Sequence, residues 1–186
     1  MRLPCARSGP KRVARLLATA ALLGWLSPPA RCEELSAKDI QVIGRTLSFM
    51  EGRSGIVIEL GIVYLRDEPE SVRQAQDMAS VLGNGLAAGK VELRPRLLAA
   101  DQLGQLSGVD ALFIVPTAAR AASATAQAAE RLHVPTISTD VGCAMAGLCV
   151  LAFHSEPTVE IFYSVSAAAG TKVRFTPAFR MLVRQL

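Results

Sequence analysis

Apolar residues in this chain change their spacing several times, from helical to strand-like and back. Ile40, Ile43 and Leu47 recur at the three- and four-residue intervals that mark one face of a helix. Ser36 precedes them and Asp39 follows it by three positions, which is the spacing of an N-terminal capping box. The pattern therefore predicts a first helix in SAKDIQVIGRTLSFM, ended by the GRSG that follows.

Short runs rich in β-branched and other apolar residues alternate with further helical segments. Buried strands are predicted at IVIELGIVYL (Ile56–Leu65), DALFIVP (Asp110–Pro116) and VPTIST (Val134–Thr139). Helices are predicted in DEPESVRQAQDMASVLGNG, in a short piece around Asp101–Leu106 and in the alanine-rich segment Ala118–Leu132. KVELRPRLL (Lys90–Leu98) alternates like a strand, and Pro95 within it favours a short strand or an edge position.

Regular alternation of strands and helices is typical of a parallel sheet covered by helices on both faces. LCVLAF and TVEIFYSV then follow one another closely and predict an antiparallel hairpin, after which TPAFRMLVRQL reads as an amphipathic terminal helix. We therefore expect one α/β domain, Rossmann-like or flavodoxin-like, with a mostly parallel sheet, a C-terminal antiparallel hairpin and a terminal helix.

The N-terminal segment has the features of a secretory signal. Basic residues precede an apolar core, Leu16–Leu26, that is too short to span a bilayer. SPPARC follows, and we place the cleavage within Ala30–Cys32. This divides the chain into a signal peptide at 1–32 and an exported domain at 33–186, located in the periplasm and without a membrane span after cleavage. An uncleaved membrane anchor is the alternative interpretation.

Removing this segment reverses the net charge. It carries six of the 20 basic residues and none of the 16 acidic ones, which leaves 14 basic and 16 acidic groups and a net charge of −2. The remainder has no basic patch with interleaved aromatic residues, so nucleic acid is not an expected partner.

The cysteine content changes in the same way. Cys5 and Cys32 fall within the segment to be removed, and Cys143 and Cys149 remain as a pair six positions apart. In an oxidising compartment such a pair favours a disulfide, provided that the chain turns back between them. Gly142 and Gly147 permit that turn. Free thiols and a metal site are the alternatives, although only two histidines are present and no Cys-x-x-Cys motif occurs.

Catalytic motifs are weak in this sequence. GNGLAAGK (Gly83–Lys90) does not have the spacing of a phosphate-binding loop, lacks the Ser or Thr after lysine, and leads from a helix into a strand. We assign it to a helix end and a turn. His133 and His154 have no neighbouring nucleophile in an elbow motif and are assigned structural roles. We therefore predict no enzymatic activity, no cofactor and no metal.

A ligand site is still expected where topology places one. Ligands of open parallel sheets bind beyond the carboxyl ends of the strands. Five polar residues follow the predicted strands at that edge: Arg66, Thr117, Arg120, Thr139 and Asp140. An ordinary solvated rim is the alternative interpretation.

The last fifty or so residues resemble the YfiR-like family of periplasmic proteins. The order of small, apolar and polar positions carries the resemblance, which rests on Thr136, Ser138, Asp140, Gly147, Leu148, Ala167–Ala169, Gly170, Phe175 and Leu182. Some members of the family place a cysteine pair around the same glycine, where Cys143 and Cys149 stand. This chain departs from the family at Ser164–Ser166, where an asparagine is frequent, and it lacks an upstream cysteine pair that some members have.

The resemblance implies regulation without catalysis. Its best-known members bind the periplasmic domain of a membrane-anchored diguanylate cyclase and restrain cyclic-di-GMP production and biofilm formation. By this comparison, the partner would be the periplasmic domain of an inner-membrane signalling protein, with a homodimer as a further expectation. Apolar residues beside the cysteine loop, Ala144, Met145 and Leu148, would form the contact patch. The alternative is a periplasmic small-ligand receptor that serves a transporter or sensor.

Overall fold

An eight-stranded sheet organises the part of the chain that the computed structural model describes, residues 35–52 and 55–186. The segment 1–32 that we assign to export lies outside these residues. The strands are β1 (Val57–Tyr64), β2 (Leu86–Ala88), β3 (Val91–Ala99), β4 (Ala111–Ile114), β5 (Thr136–Ser138), β6 (Leu151–His154), β7 (Glu160–Tyr163) and β8 (Arg184–Gln185). They lie in the order β2-β3-β1-β4-β5-β6-β7-β8.

The central strands are parallel, which confirms the predicted α/β class. β3, β1, β4, β5 and β6 pair with one another in parallel. Counted among themselves in chain order, these five follow the 2-1-3-4-5 arrangement of flavodoxin-like sheets. Strand order therefore reverses direction between β1 and β4.

Six α-helices connect and cover the described strands. They are α1 (Ala37–Leu47), α2 (Pro69–Leu82), α3 (Ala122–Leu132), α4 (Val141–Met145), α5 (Val165–Thr171) and α6 (Pro177–Leu182). Right-handed crossovers place α2 and α3 on opposite faces, because β1 to β3 and β4 to β5 step in opposite directions across the sheet. The capping box predicted for α1 is confirmed: the Ser36 hydroxyl accepts from the Asp39 N–H, and the Asp39 carboxylate accepts from the Ser36 N–H.

The C-terminal region contains both a confirmed element and a correction. β6 and β7 form the predicted antiparallel hairpin. The predicted terminal helix is too long, because α6 ends at Leu182 and the chain then extends as β8 beside β7. Val183 has extended backbone angles, so helical spacing among the last residues does not continue as helix. Gln185 pairs with Tyr163 instead.

The sequence predicted that the strand containing Pro95 would be short or lie at an edge. β3 has nine residues, so it is not short, and β2 covers it over part of its length. β3 lies between β1 and β2, and β2 occupies part of GNGLAAGK, which we had assigned to a turn. Pairing between β2 and β3 extends only from Val91 to Leu93. Beyond Leu93 no described strand pairs with the outer side of β3, and Pro95 is therefore tolerated there.

Close packing of α1 and of the sheet depends on two glycines. Gly44 of α1 lies against Ala88 of β2, and a Cβ there would overlap both the Cβ and the backbone of Ala88. Gly61 in β1 leaves room for the side chains of Leu98 and Leu112, which would lie 2.5 and 2.8 Å from an added Cβ. Because protein interiors are close-packed, there is no space for a Cβ at either position, and glycine is required for these contacts.

Candidate functional site

The carboxyl ends of the parallel strands meet at one edge of the sheet, and the point where strand order reverses lies between β1 and β4. In sheets of this type a crevice opens at that point and accepts ligands. Leu65, Arg66 and Asp67 follow β1, and Pro116 and Thr117 follow β4. These two turns form the centre of the candidate site.

Buried polar side chains of α2 fix both turns. The Ser71 hydroxyl accepts a hydrogen bond from the Leu65 N–H at 2.9 Å. The Gln74 side-chain oxygen accepts from the Thr117 hydroxyl at 2.9 Å and from its N–H at 3.3 Å. Ser71 and Gln74 are 0% and 6% exposed, so these bonds are shielded from water. The polar groups of Thr117 are thereby engaged in holding the turn after β4 against α2.

Ion pairs neutralise the two arginines predicted for this edge. Arg120 donates to both carboxylate oxygens of Asp67 at 2.6 Å. This hydrogen bond is the main cause that holds the pKa of Asp67 below its usual value of 3.8. Arg66 lies 3.5 Å from the Asp101 carboxylate, beyond the end of β3. All four side chains are more than half exposed, so the pairs are solvent-screened and contribute little to stability.

A shallow cavity of about 440 Å³ lies beside the first of these turns. Its lining includes Leu65, Arg66, Asp67, Ala100 and Asp101. The lining therefore combines apolar Leu65 and Ala100 with three charged side chains, of which Arg66 and Asp101 form an ion pair. An anionic ligand would have to compete with Asp67 and Asp101 for the arginines.

The cysteine pair forms a second part of the edge. Cys143 and Cys149 are joined in a disulfide with Cα atoms 5.3 Å apart, which confirms the predicted bridge. The short helix α4 supplies the turn: Asp140 caps it by accepting from the Gly142 N–H at 2.9 Å. The N–H groups of Leu148 and Cys149 both donate to the Cys143 carbonyl, at 3.0 and 3.1 Å. Backbone hydrogen bonds and the disulfide therefore close the same loop.

A small pocket of about 150 Å³ lies between this loop and the start of α3. Its apolar walls come mainly from Ile114, Ala119, Ala122, Cys143 and Leu148, and Ser138 and Asp140 supply polar groups. Ser138 is 3% exposed and its hydroxyl accepts from the Asp140 N–H at 3.0 Å. The pocket can hold an apolar group about as large as one aromatic ring.

The predicted site residues fall into three neighbouring groups. Arg66 pairs with Asp101, and Thr117 and Arg120 lie on the turn after β4 with their own partners. Asp140 and Leu148 line the disulfide pocket, beside half-buried Thr139.

The proposed contact patch is smaller than expected. Met145 is 71% exposed, whereas Ala144 is 1% exposed and Leu148 is half-buried. The α4 turn directs Ala144 into the core, and the spacing of these residues alone did not indicate this.

Sequence reasoning missed several partners at this edge. Asp67 and Asp101 were not selected, although Asp67 follows Arg66 directly at the end of a predicted strand. Gln74 was read only as one residue of a helix. Its role depends on α2 and β4 meeting in space. In the described residues no cluster of His, Cys, Asp or Glu has the arrangement of a metal site, and no helix there has the length and apolarity needed to cross a bilayer.

Comparison with known proteins identifies the fold and no family. Neither the family models nor the curated proteins searched contain a match to this chain. Eleven solved chains do match. One is a conserved domain protein from Vibrio cholerae O1 biovar eltor, with a TM-score of 0.55 and 12% identity over 82% of this chain. Another is the ABC domain from Streptococcus pneumonia in complex with L-Trp, with a TM-score of 0.53 and 12% identity over 78% of this chain.

Both structures are longer than this chain, which spans 60% and 58% of their lengths. At this identity the similarity extends to the α/β fold alone.

Proposed function

We propose that this chain is a periplasmic, non-catalytic regulatory protein. It binds the periplasmic domain of a membrane-anchored signalling protein of the diguanylate-cyclase type and restrains it, with effects on cyclic-di-GMP and biofilm formation. The resemblance of the last fifty residues to the YfiR-like family supports the choice of partner. The signal-like N-terminus and the disulfide support the compartment, because disulfides persist outside the cytosol.

The disulfide-closed α4 loop is the observation that carries the proposal. It holds Met145 at 71% exposure on a turn fixed by the Asp140 cap, the Cys143–Cys149 bridge and two backbone bonds to the Cys143 carbonyl. A large flexible apolar side chain on a rigid support suits a protein contact, because methionine adapts to the partner surface. A preformed loop also loses less conformational entropy on binding than a mobile one.

The regulatory effect follows from linkage. A domain that binds one conformation of a receptor more tightly than another shifts the receptor toward that conformation. Such a mechanism requires no reacting groups. At the strand ends Arg66 is paired with Asp101 and Arg120 with Asp67. Thr117 holds a turn, and this set of engaged side chains is consistent with a binding role.

Deleting the gene and measuring cyclic-di-GMP tests the proposal. We expect the level to rise and to return on complementation with the wild-type chain. A Met145→Glu variant should fail to restore the low level, because a charge would be placed in the contact. Ile56→Glu is the matched control, since Ile56 is 68% exposed and lies outside the α4 loop. Unchanged cyclic-di-GMP after deletion would reject the regulatory role.

A small-ligand receptor is the second candidate function. One neighbour in fold is described in complex with L-Trp, and the disulfide pocket of this chain, about 150 Å³, accepts one ring. Thermal-shift and calorimetric titration of the mature chain with individual amino acids, L-Trp included, tests this idea. Saturable binding that is lost in an Ala119→Phe variant, which fills the pocket, would favour it. The absence of binding by every amino acid would count against it.

A further inference from the structure

No described strand pairs with the outer side of β8. β8 is the last strand in the sheet order and pairs only with β7 among the described residues. Leu186 directs both of its backbone groups toward β7: its N–H donates to the Tyr163 carbonyl at 2.9 Å and its carbonyl accepts from Val165 at 3.2 Å. Because these groups alternate along a strand, the N–H and C=O of Gln185 face the unpaired side.

Exposed apolar residues lie next to this edge strand in the chain or are hydrogen-bonded at its end. Met181 and Leu182, at the end of α6, are 81% and 78% exposed and are the two most exposed large apolar residues of the described chain. Val165 and Leu186, which share a backbone hydrogen bond, are 48% and 42% exposed. We name these four residues and the basic residues Lys172, Arg174, Arg180 and Arg184 the β8 surface.

The charged side chains that define the β8 surface are all basic. No acidic residue follows Glu160 in the sequence, whereas four basic residues do. Lys172 and Arg174 line a groove of about 480 Å³ whose floor includes Tyr163 and Val165. Arg180 lies close enough to Tyr163 for its charge to act on the phenol.

Two of these four cations have contacts of their own. Arg174 lies 3.7 Å from Glu51, and Arg184 lies over the Phe162 ring at 5.6 Å. In the part of the chain that the structure describes, Lys172 and Arg180 form no ion pair. The β8 surface therefore combines exposed apolar side chains with positive charge that no described carboxylate neutralises at Lys172 and Arg180.

We propose that the β8 surface binds an extended, acidic segment of a partner protein, in which apolar side chains alternate with carboxylates and whose backbone adds a strand to β8. Each part of the surface matches one property of that segment. The open edge pairs with its backbone, Met181 and Leu182 contact its apolar side chains, and Lys172 and Arg180 attract its carboxylates.

Two other occupants fit the observations less well. A second copy of this chain, related by a two-fold axis at this surface, would bring the four basic residues of one protomer toward those of its partner, and like charges across an interface are unfavourable. An anionic membrane would satisfy the charge and the apolar side chains but would leave the backbone groups of Gln185 unpaired. The inference rests on the proposed function, in that the segment belongs to the regulated partner.

Fluorescence anisotropy with defined peptides tests this inference on the mature chain. The probe is a labelled peptide of alternating valine and glutamate, measured at low and high salt. We expect saturable binding that weakens as salt rises, because screening reduces the attraction. The Lys172→Glu/Arg180→Glu variant should bind about tenfold or more weakly, because two attractions become repulsions. Lys90→Glu is the matched control on the opposite edge of the sheet and should bind as the wild type does.

Two further probes examine the geometry. A valine–glutamate peptide that is N-methylated on alternate residues cannot form the strand ladder and should bind much more weakly. A Met181→Ser variant should weaken binding without changing charge, and it serves if the charge-reversed variant fails to fold by circular dichroism. Equal binding of the methylated peptide, or of a valine–lysine peptide, would overturn the inference.

Failure of this inference can be distinguished from failure of the proposed function. If deletion raises cyclic-di-GMP and the Lys172→Glu/Arg180→Glu variant restores it fully, regulation stands and the β8 surface is not the contact. Binding of the chain to phosphatidylglycerol vesicles but not to the peptide would assign the surface to a membrane, and concentration-dependent dimerisation that is lost in Met181→Ser would assign it to a second copy. Either result would refute strand addition by a segment of a partner protein.

Discussion

Reducing the Cys143–Cys149 bridge should lower the free energy of unfolding of the mature domain by about 2 kcal/mol. The bridge closes a ring of seven residues, since the cysteines are separated by six positions. The chain-entropy relation for a ring of this length gives about 2.4 kcal/mol at 25 °C, because the cross-link restricts the unfolded chain. For a domain of this size, such a loss corresponds to a fall in melting temperature of about 5–10 °C.

Urea unfolding of the wild-type domain with and without reductant measures this difference directly. Far-UV circular dichroism is the suitable signal, because the chain's single tryptophan, Trp25, lies in the segment assigned to cleavage. A Cys143→Ala/Cys149→Ala variant provides the control and should not respond to reductant. It should also be less stable than the reduced wild type, since the two cysteines are 6% and 0% exposed and their sulfur atoms pack in the core.

One outcome of the urea experiment would contradict the chain-entropy estimate for the disulfide. The loop is also closed by hydrogen bonds from the Leu148 and Cys149 N–H groups to the Cys143 carbonyl. If these bonds already order the loop in the unfolded ensemble, the cross-link removes little entropy. Reduced and oxidised forms that differ by less than about 0.5 kcal/mol would therefore show that the chain-entropy account does not apply here.

Three further predictions concern packing, capping and titration. Gly44→Ala should destabilise the domain by about 1–3 kcal/mol in urea unfolding because the new methyl group overlaps Ala88, whereas Gly104→Ala, which has open space, should not. Ser36→Ala should cost about 1 kcal/mol in the same assay through loss of the α1 cap. Burial raises the pKa of Tyr163 above its usual value of 10.0, so a tyrosinate absorbance titration should contain a late component that Tyr163→Phe removes. The associated stability is present below about pH 10 and is lost as the pH rises through the higher folded pKa.

Local sequence signals predicted the elements whose formation depends on local chemistry. The Ser36 cap, the strands predicted from β-branched runs and the hairpin of β6 and β7 are all present in the structure. Pairing order is a property of the whole sheet, and no local signal predicted that β3 would be covered by β2. β8 shows the same limit, because Arg184 and Gln185 continue a helical pattern and form a strand only where β7 offers an edge.

The sequence predicted where the candidate site lies in the fold, but not which partners its polar side chains have. Topology placed Arg66 and Arg120 at the carboxyl edge correctly, since strand ends in a parallel sheet share one edge. Whether their positive charges are paired in the fold depends on Asp101 and Asp67, which come from different segments of the chain. Thr117 likewise serves the turn after β4 because Gln74 reaches it from another element. Such partners become visible only when distant segments are brought together.

The strand-end site and the β8 surface differ in whether their basic side chains already have an acidic partner. At the strand ends each arginine already has a carboxylate within 3.5 Å, so a charged ligand gains only the difference between its own contact and the one it replaces. At the β8 surface Lys172 and Arg180 have no such competitor among the described residues, so an incoming carboxylate displaces no carboxylate there. The preference for an acidic partner should therefore come from the β8 surface. Met145 on the disulfide loop should contribute apolar contact and little selectivity for charge. Salt titration of partner binding separates the two: a Lys172→Glu/Arg180→Glu chain should lose most of the salt dependence, and a Met145→Glu chain should keep it.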